Sequence, residues 1–383
     1  MKKRKTMALA LSAMLLLTLT GCQNTSASSV PIINISGNGT ENSDTQSSTD
    51  TQSPVSSTGE QSQTQSTPVS TTTDETSKPQ PDVTGNNYDG GIYGAVIVDA
   101  TGRGMPIFGG GSGTVYAQAL NAVKEKVGAQ VNVFSMIVPT QGSFYMPANL
   151  SMANEWNCIA NVNDQLYGII PVDAYSALAA HTDEEIYART DHHWHQLGAY
   201  YAAEEFVKTA LIDVPFAPLS EYERHDIEGY LGTLYGWSDN NPIMGNNPET
   251  FVYYIPPNDF ATYYMNPEDT DFWRSSMFQI MPVGYSYGTF MGGDEKVVHV
   301  ETDVENGRKL LIVKDSYPNA LVPCLTGSFE DIWTVDMRFL EKMEHFPHSI
   351  SQIVEEQGIT DVLFCMDTFS AVGENALYLP GIV

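Results

Sequence analysis

Towards its C-terminal end the chain repeats one unit: a short, unbroken apolar run, then a helical or turn segment. Leu310-Leu311-Ile312-Val313 leads to the run Ile332–Val335; a helical stretch with Ile350, Ile353 and Val354 then stops at Gly358, and Val362-Leu363-Phe364 follows. A strand with one wet face alternates polar and apolar residues, so runs without a polar face must be covered on both sides. Such strands alternating with helices build a mainly parallel sheet flanked by helices, and the fold class is α/β. Tyr93–Val98 reads as a first strand and Val131–Val138 as a buried one. Between them a helix sets Tyr116, Leu120, Val123 and Val127 on one face and ends at Gly128. Gly109–Gly113 precedes that helix without the Gly-Lys-Ser/Thr ending or the dinucleotide spacing, and reads as a flexible turn. A second amphipathic helix is predicted over about Gln196–Leu211, with Ala199, Ala203, Phe206, Val207 and Ala210 inward. From Pro215 to Gly293 the pattern loosens into aromatic, Pro-rich and Asn-rich sequence, read as an irregular insertion or lid.

The N-terminus carries a different signal. Lys2-Lys3-Arg4-Lys5 precede an apolar run from Met7 to Leu19 that is too short to span a bilayer. Leu19-Thr20-Gly21-Cys22 closes it and looks like a bacterial lipobox, which implies cleavage before Cys22 and acylation of that residue. Several acyl chains anchor stably where one does not, so the expectation is an extracytoplasmic protein tethered to the cell membrane. From Gln23 to about Asp89 the chain is Ser, Thr, Gln, Asn and Pro with few aromatics. It cannot bury enough apolar surface to offset its ordering entropy, and is expected to be a disordered stalk. That leaves residues 90–383 as a single domain.

Charge excludes some partners. Asp and Glu number 46 against 18 Lys and Arg, for a net charge of −28, and four of the basic residues belong to the leader. So acidic a surface is a poor match for nucleic acid or anionic headgroups. Beyond Cys22 only Cys158, Cys324 and Cys365 remain, without metal-type spacing and too few for a disulfide framework, although one bridge among them is open.

Chemistry concentrates in two places. Thr190-Asp191-His192-His193-Trp194 sits just before the second helix, and a carboxylate two residues before an imidazole can orient a general base. Ser316 follows the strand Leu310–Val313, and functional groups in open α/β sheets collect beyond the carboxyl ends of strands. Ser316 as nucleophile, His193 as base and Asp191 as the holder of its tautomer would make a Ser-His-Asp centre. A helix beginning after Ser316 would let its amide stabilise an oxyanion. The alternative for Ser316 and Asp315 is helix capping. His192, His193 and His195 offer imidazoles within a short reach, but paired carboxylates or a fourth histidine do not stand nearby, and no metal or other cofactor is assigned.

With these residues in place the chain resembles the bacterial DHHW proteins, whose name spells Asp191 to Trp194 and which are similar to the SGNH-hydrolase-like proteins of alginate and peptidoglycan O-acetylation. The likeness runs from about Tyr93 to Phe369 and includes Lys314-Asp315-Ser316-Tyr317. It implies a single SGNH-like domain with Asp191 and His193 as the Asp-x-His pair and Ser316 as the nucleophile. His192 and Trp194 would flank them structurally. Gly293 or Asp294, in Met291-Gly292-Gly293-Asp294, would supply an oxyanion donor or shape the pocket beside Tyr317. The substrate implied is an O-acyl ester on an envelope or extracellular polysaccharide, handled as a transferase or an esterase, with a membrane-bound acyltransferase as a partner. The rival reading is a non-catalytic glycan- or solute-binding lipoprotein.

Overall fold

The computed structural model describes residues 85–89, 95–214 and 216–383. The leader, Cys22 and the linker up to residue 84 lie outside the described residues. Strands are numbered in chain order: β1 (Gly85–Asp89), β2 (Ala95–Asp99), β3 (Gly104–Pro106), β4 (Asn132–Val138), β5 (Ile170–Pro171), β6 (Glu223–Tyr230), β7 (Glu249–Ile255), β8 (Phe260–Met265), β9 (Trp273–Ser275), β10 (Val297–Thr302), β11 (Lys309–Lys314), β12 (Asp331–Asp336) and β13 (Asp361–Asp367).

Eight of them form one sheet in the order β5-β4-β13-β11-β12-β10-β8-β9. From β5 to β12 neighbours run parallel, and β10, β8 and β9 extend the sheet antiparallel. The continuous apolar runs explain the centre. Successive residues point to opposite faces, so Leu310 and Ile312 join Phe134 and Leu363 on one side, while Leu311 and Val313 join Val133, Val362 and Phe364 on the other. Helix Gln196–Thr209 covers the first face, with Phe206 edge-on to Phe134 at 5.2 Å and stacked on Phe329 at 5.8 Å. Helices Thr114–Val127 and Ile350–Gln357 bury Leu120, Val123, Ile350 and Ile353 against the second. The α/β sheet covered on both faces is therefore present, and the fold is SGNH-like.

Several expectations are revised. The strand read at Tyr93–Val98 appears as β2, but in a separate antiparallel sheet with β1 and β3 rather than at the start of the main one. The five residues of β1, assigned to the linker by composition, are drawn into that sheet by backbone pairing. The largely exposed Gly109–Gly113 turn is tightly packed at two of its glycines. A Cβ at Gly113, where φ is 60°, would fall 2.2 Å from a Val162 methyl, and one at Gly111 2.8 Å from the Val372 carbonyl oxygen. The segment read as an insertion contributes β8 and β9 to the main sheet, and pairs β6 with β7 as an antiparallel ribbon. Cys158, Cys324 and Cys365 are buried free thiols. Among the described residues no helix is long and apolar enough to cross a membrane.

Candidate active site

The carboxyl ends of four parallel strands open on one hollow of about 560 Å³. Thr140 follows β4, Ser316 follows β11, Arg338 follows β12 and Asp367 ends β13, and all four line it. The loop from Thr190 to His195 closes one side. Its backbone is held from several directions: Gln141 Nε2 donates to the Asp191 carbonyl at 2.8 Å, and the Tyr317 hydroxyl donates to the His192 carbonyl. Glu249 accepts the amides of Arg189 and Thr190 at 2.7 Å each. A loop fixed at so many points holds its side chains without needing a regular element.

Asp191, His193 and Ser316 meet in line. The His193 Nδ1–H donates to Asp191 Oδ1 at 2.6 Å, and Nε2 lies 2.8 Å from Ser316 Oγ. An imidazole that donates from Nδ1 keeps Nε2 as an acceptor when neutral, so the serine hydroxyl donates to it. The Tyr287 ring lies flat on His193 at 3.7 Å and 8°, which fixes the imidazole plane. The other Asp191 oxygen, Oδ2, accepts from the Tyr230 hydroxyl and the Thr233 amide, both at 2.8 Å, and from the Thr233 hydroxyl at 3.1 Å. Burial opposes ionisation of Asp191, but the neighbouring His193 outweighs it and holds the carboxyl well below its ordinary range. Gly232 makes this approach possible: a Cβ there would sit 2.3 Å from Asp191 Oδ2.

His192 takes a different part. Burial and then the adjacent His193 push its imidazole down to about 3, so it stays neutral. Its Nδ1 meets the Thr233 hydroxyl at 2.6 Å and its ring stacks on Trp237 at 4.7 Å. Asp191, His192 and His193 each offer a ligand atom within 4.8 Å of the others. His195 does not join them; it turns away to Glu249, 3.4 Å from Nε2. The Asp191 oxygens are already engaged by Tyr230, Thr233 and His193, a set of partners that suits an orienting carboxylate better than a metal ligand.

Ser316 sits where β11 gives way to a short 3-10 turn, Tyr317–Ala320. Asp315 accepts the Tyr317 amide at 2.8 Å and the Asp367 amide at 3.0 Å, so it braces the turn and ties it to β13. Among the described residues the Ser316 and Gly293 amides donate to no protein acceptor, and both residues line the hollow. Gly293 has φ 120°, a backbone open to glycine. Asp294 also lines the hollow, but not as a donor. It accepts from Asn319 Nδ2 at 2.8 Å and pairs with Arg338 at 3.1 Å and the buried Lys314 at 3.4 Å. Burial works against its charge, yet Lys314 and then Arg338 hold its carboxyl well below the usual range. Of the two roles expected of Gly293 and Asp294, donor or pocket-shaping, the Asp294 side chain fits the second. Tyr317 lines the hollow and braces the histidine loop from behind.

Tyr230, Thr233, Glu249 and Tyr287 were not singled out from sequence. They lie in the segment without a clear period, and only the Gly232-Thr233 pair in front of the short helix Thr233–Trp237 marks a constrained backbone there.

No curated protein sequence matches the chain. Among solved structures, a DHHW family protein from Eubacterium siraeum is similar over 79% of this chain and 99% of its own, at 42% identity and a TM-score of 0.72. Bacillus cereus PatB1, solved with a sulfonyl adduct, is similar over 76% of this chain and 98% of its own, at 17% identity and a TM-score of 0.61. The O-acetyltransferase domain of Pseudomonas putida AlgJ matches at 12% identity over 77% of this chain and 94% of its own, with a TM-score of 0.40. The profile described as DHHW protein matches residues 55–335. With most of its length covered by that profile and by a relative of the same description, the chain belongs to the DHHW protein family.

Proposed function

We propose that this protein is a serine-dependent acyl-transfer enzyme acting on O-acyl, chiefly acetyl, esters of an envelope or extracellular polysaccharide, as O-acetyltransferase or esterase. The observation that carries the reading is the line from Asp191 through His193 to Ser316, at 2.6 and 2.8 Å, opening into a hollow large enough for a sugar residue. Ser316 Oγ attacks the acyl carbonyl while His193 Nε2 takes the hydroxyl proton, and Asp191 stabilises the imidazolium. The amides of Ser316 and Gly293 are the free donors available to the oxyanion. Collapse of the tetrahedral intermediate expels the donor alkoxide, which takes the proton from His193 and leaves an acyl-serine. A glycan hydroxyl, or water, then gives its proton to His193 and its oxygen to the acyl carbon, which frees Ser316. Trp237, Tyr285 and Tyr287 line the hollow, and the exposed Tyr285 offers a ring on which an acceptor sugar would stack.

The rest of the proposal comes from the sequence. The Leu-Thr-Gly-Cys ending and the polar linker support a lipid anchor at Cys22 and an extracytoplasmic site, with a membrane-bound acyltransferase delivering the acyl group.

The test uses a sulfonyl fluoride as probe, prompted by the adduct in PatB1, and a chromogenic acetyl ester as substrate. Intact mass should rise by one sulfonyl group on Ser316, and Ser316→Ala should abolish both labelling and ester turnover. Equal ester rates for the wild type and Ser316→Ala would sink the proposal in favour of a glycan-binding protein.

A further inference from the structure

Three carboxyl groups, those of Asp315, Asp367 and Glu155, gather around the Ser316 turn, and their surroundings are unequal. Asp315 accepts two backbone amides, those of Tyr317 and Asp367. Glu155 accepts the Thr140 amide at 2.8 Å and the Thr140 hydroxyl at 2.6 Å. Among the described residues the Asp367 carboxyl draws its hydrogen bonds from Ser370 alone, whose amide donates at 2.7 Å. The other titratable groups facing Asp367 are Tyr187 and Tyr317, whose hydroxyls already donate to the carbonyls of Pro139 and His192.

Cations lie close by but are committed elsewhere. Lys314, next to Asp315 in sequence, turns to Asp294 at 3.4 Å and Asp336 at 3.8 Å. Arg338 forks onto Asp336, at 2.8 and 2.5 Å, and reaches Asp294. His193 is held between Asp191 and Ser316. Buried carboxylates without a cation relieve their repulsion by taking up a proton. Burial raises the Glu155 carboxyl too, but Asp367 has the fewer donors and is the one of the two that lines the hollow. Burial, and then the Asp315 charge, accordingly hold the Asp367 carboxyl well above the usual range. Asp367 lines the hollow with Ser316, whereas Glu155 lies behind it.

We propose that Asp367 presents a neutral carboxyl to the hollow, donates its O–H to the substrate beside Ser316, and sets the alkaline limit of turnover when it ionises. An ionised Asp367 can only accept, and places a negative charge near an oxyanion that is forming. Its capping of the short helix Thr368–Val372 would alone give stability without this pH dependence. The inference rests on the acyl-transfer reading of Ser316.

The experiment measures kcat/KM on the acetyl ester from pH 5 to 10, with the Ser316→Ala rate subtracted, for the wild type, Asp367→Asn and Asp367→Ala. Asn still accepts the Ser370 amide but cannot ionise. The alkaline fall should therefore vanish in Asp367→Asn, while Asp367→Ala should lose about tenfold at the acid plateau. An alkaline fall in Asp367→Asn that matches the wild type overturns the role of Asp367. Titration of carbon-13-labelled aspartate carboxyls in the wild type, with Asp367 assigned through its backbone resonances, needs neither a variant nor turnover. A carboxyl that titrates near pH 4, in the ordinary range, overturns the proposal even if the acyl reading stands, and loss of Ser316-dependent turnover alone leaves this titration to decide the protonation.

Discussion

Trp194 Nε1 donates to the Tyr317 main-chain carbonyl at 2.8 Å, joining the loop that carries His193 to the turn that carries Ser316 across 123 positions of sequence. The Tyr287 hydroxyl donates to the same carbonyl at 2.5 Å while its ring lies on His193. The distance between imidazole and serine is thus set by hydrogen bonds that involve neither reacting atom. Trp194→Phe keeps the buried ring and removes the donor. It should cost about 1–2 kcal/mol of stability through loss of one of the carbonyl's two donors, Tyr287 remaining, and slow sulfonylation of Ser316 well beyond what that loss explains. Urea unfolding and labelling rates, measured on the same preparation, separate the two effects.

Gly232→Ala tests the support of Asp191. The added methyl meets Asp191 Oδ2 and Cγ from 2.3 to 2.7 Å, so the carboxylate or the Thr233 turn must move. Turnover should fall at least about tenfold, since orienting groups of this kind act on the barrier directly, with the far-ultraviolet spectrum unchanged. Wild-type turnover in a folded Gly232→Ala would show that the carboxylate tolerates displacement.

Phe206 tests the core without touching the site. It is fully buried between Phe134 and Phe329, and Phe206→Ala should lower the unfolding free energy by about 3–5 kcal/mol through lost contacts and a residual cavity. Denaturant midpoints at constant slope would check it. A loss under about 1 kcal/mol would mean the helix repacks over the gap.

The Asp294 cluster predicts a pH dependence of stability. Burial disfavours its charge, but Lys314 and Arg338 prevail and depress its folded pKa below the unfolded value. A depressed carboxyl contributes stability that is complete above about pH 4, where the unfolded group is also ionised, and that fades as pH falls through the folded value. Asp294→Asn should therefore lower Tm at pH 7 and by somewhat less near pH 3, where the unfolded carboxyl is largely protonated but the folded one is still ionised. An equal difference at both values would assign its effect to packing instead.

The parts legible in sequence share one property: their chemistry is local. Leu310–Val313 cannot be wet on either face, and Asp191 lies two residues from His193, so both are read without knowing what surrounds them. Ser316 was legible from its place after a buried strand. Tyr230, Thr233 and Glu249 were not, because each is defined by what it touches 39 to 60 positions away. The pairing of Asp294 was hidden too, because its three partners, Lys314, Asn319 and Arg338, come from other elements. β8 and β9 were hidden for a similar reason: β8 carries aromatic residues on both faces and β9 is a three-residue edge, so neither shows a period until its neighbour is known.

The strand order carries a last consequence. β13, the last strand among the described residues, lies between β4 and β11, so the middle of the sheet is made after the strands on either side of it. Until those seven residues arrive, β4 and β11 have no ladder between them, and only contacts such as that of Trp194 with the Tyr317 carbonyl join the base to the nucleophile. Loss of the tail would therefore not trim an edge; it would remove the keystone.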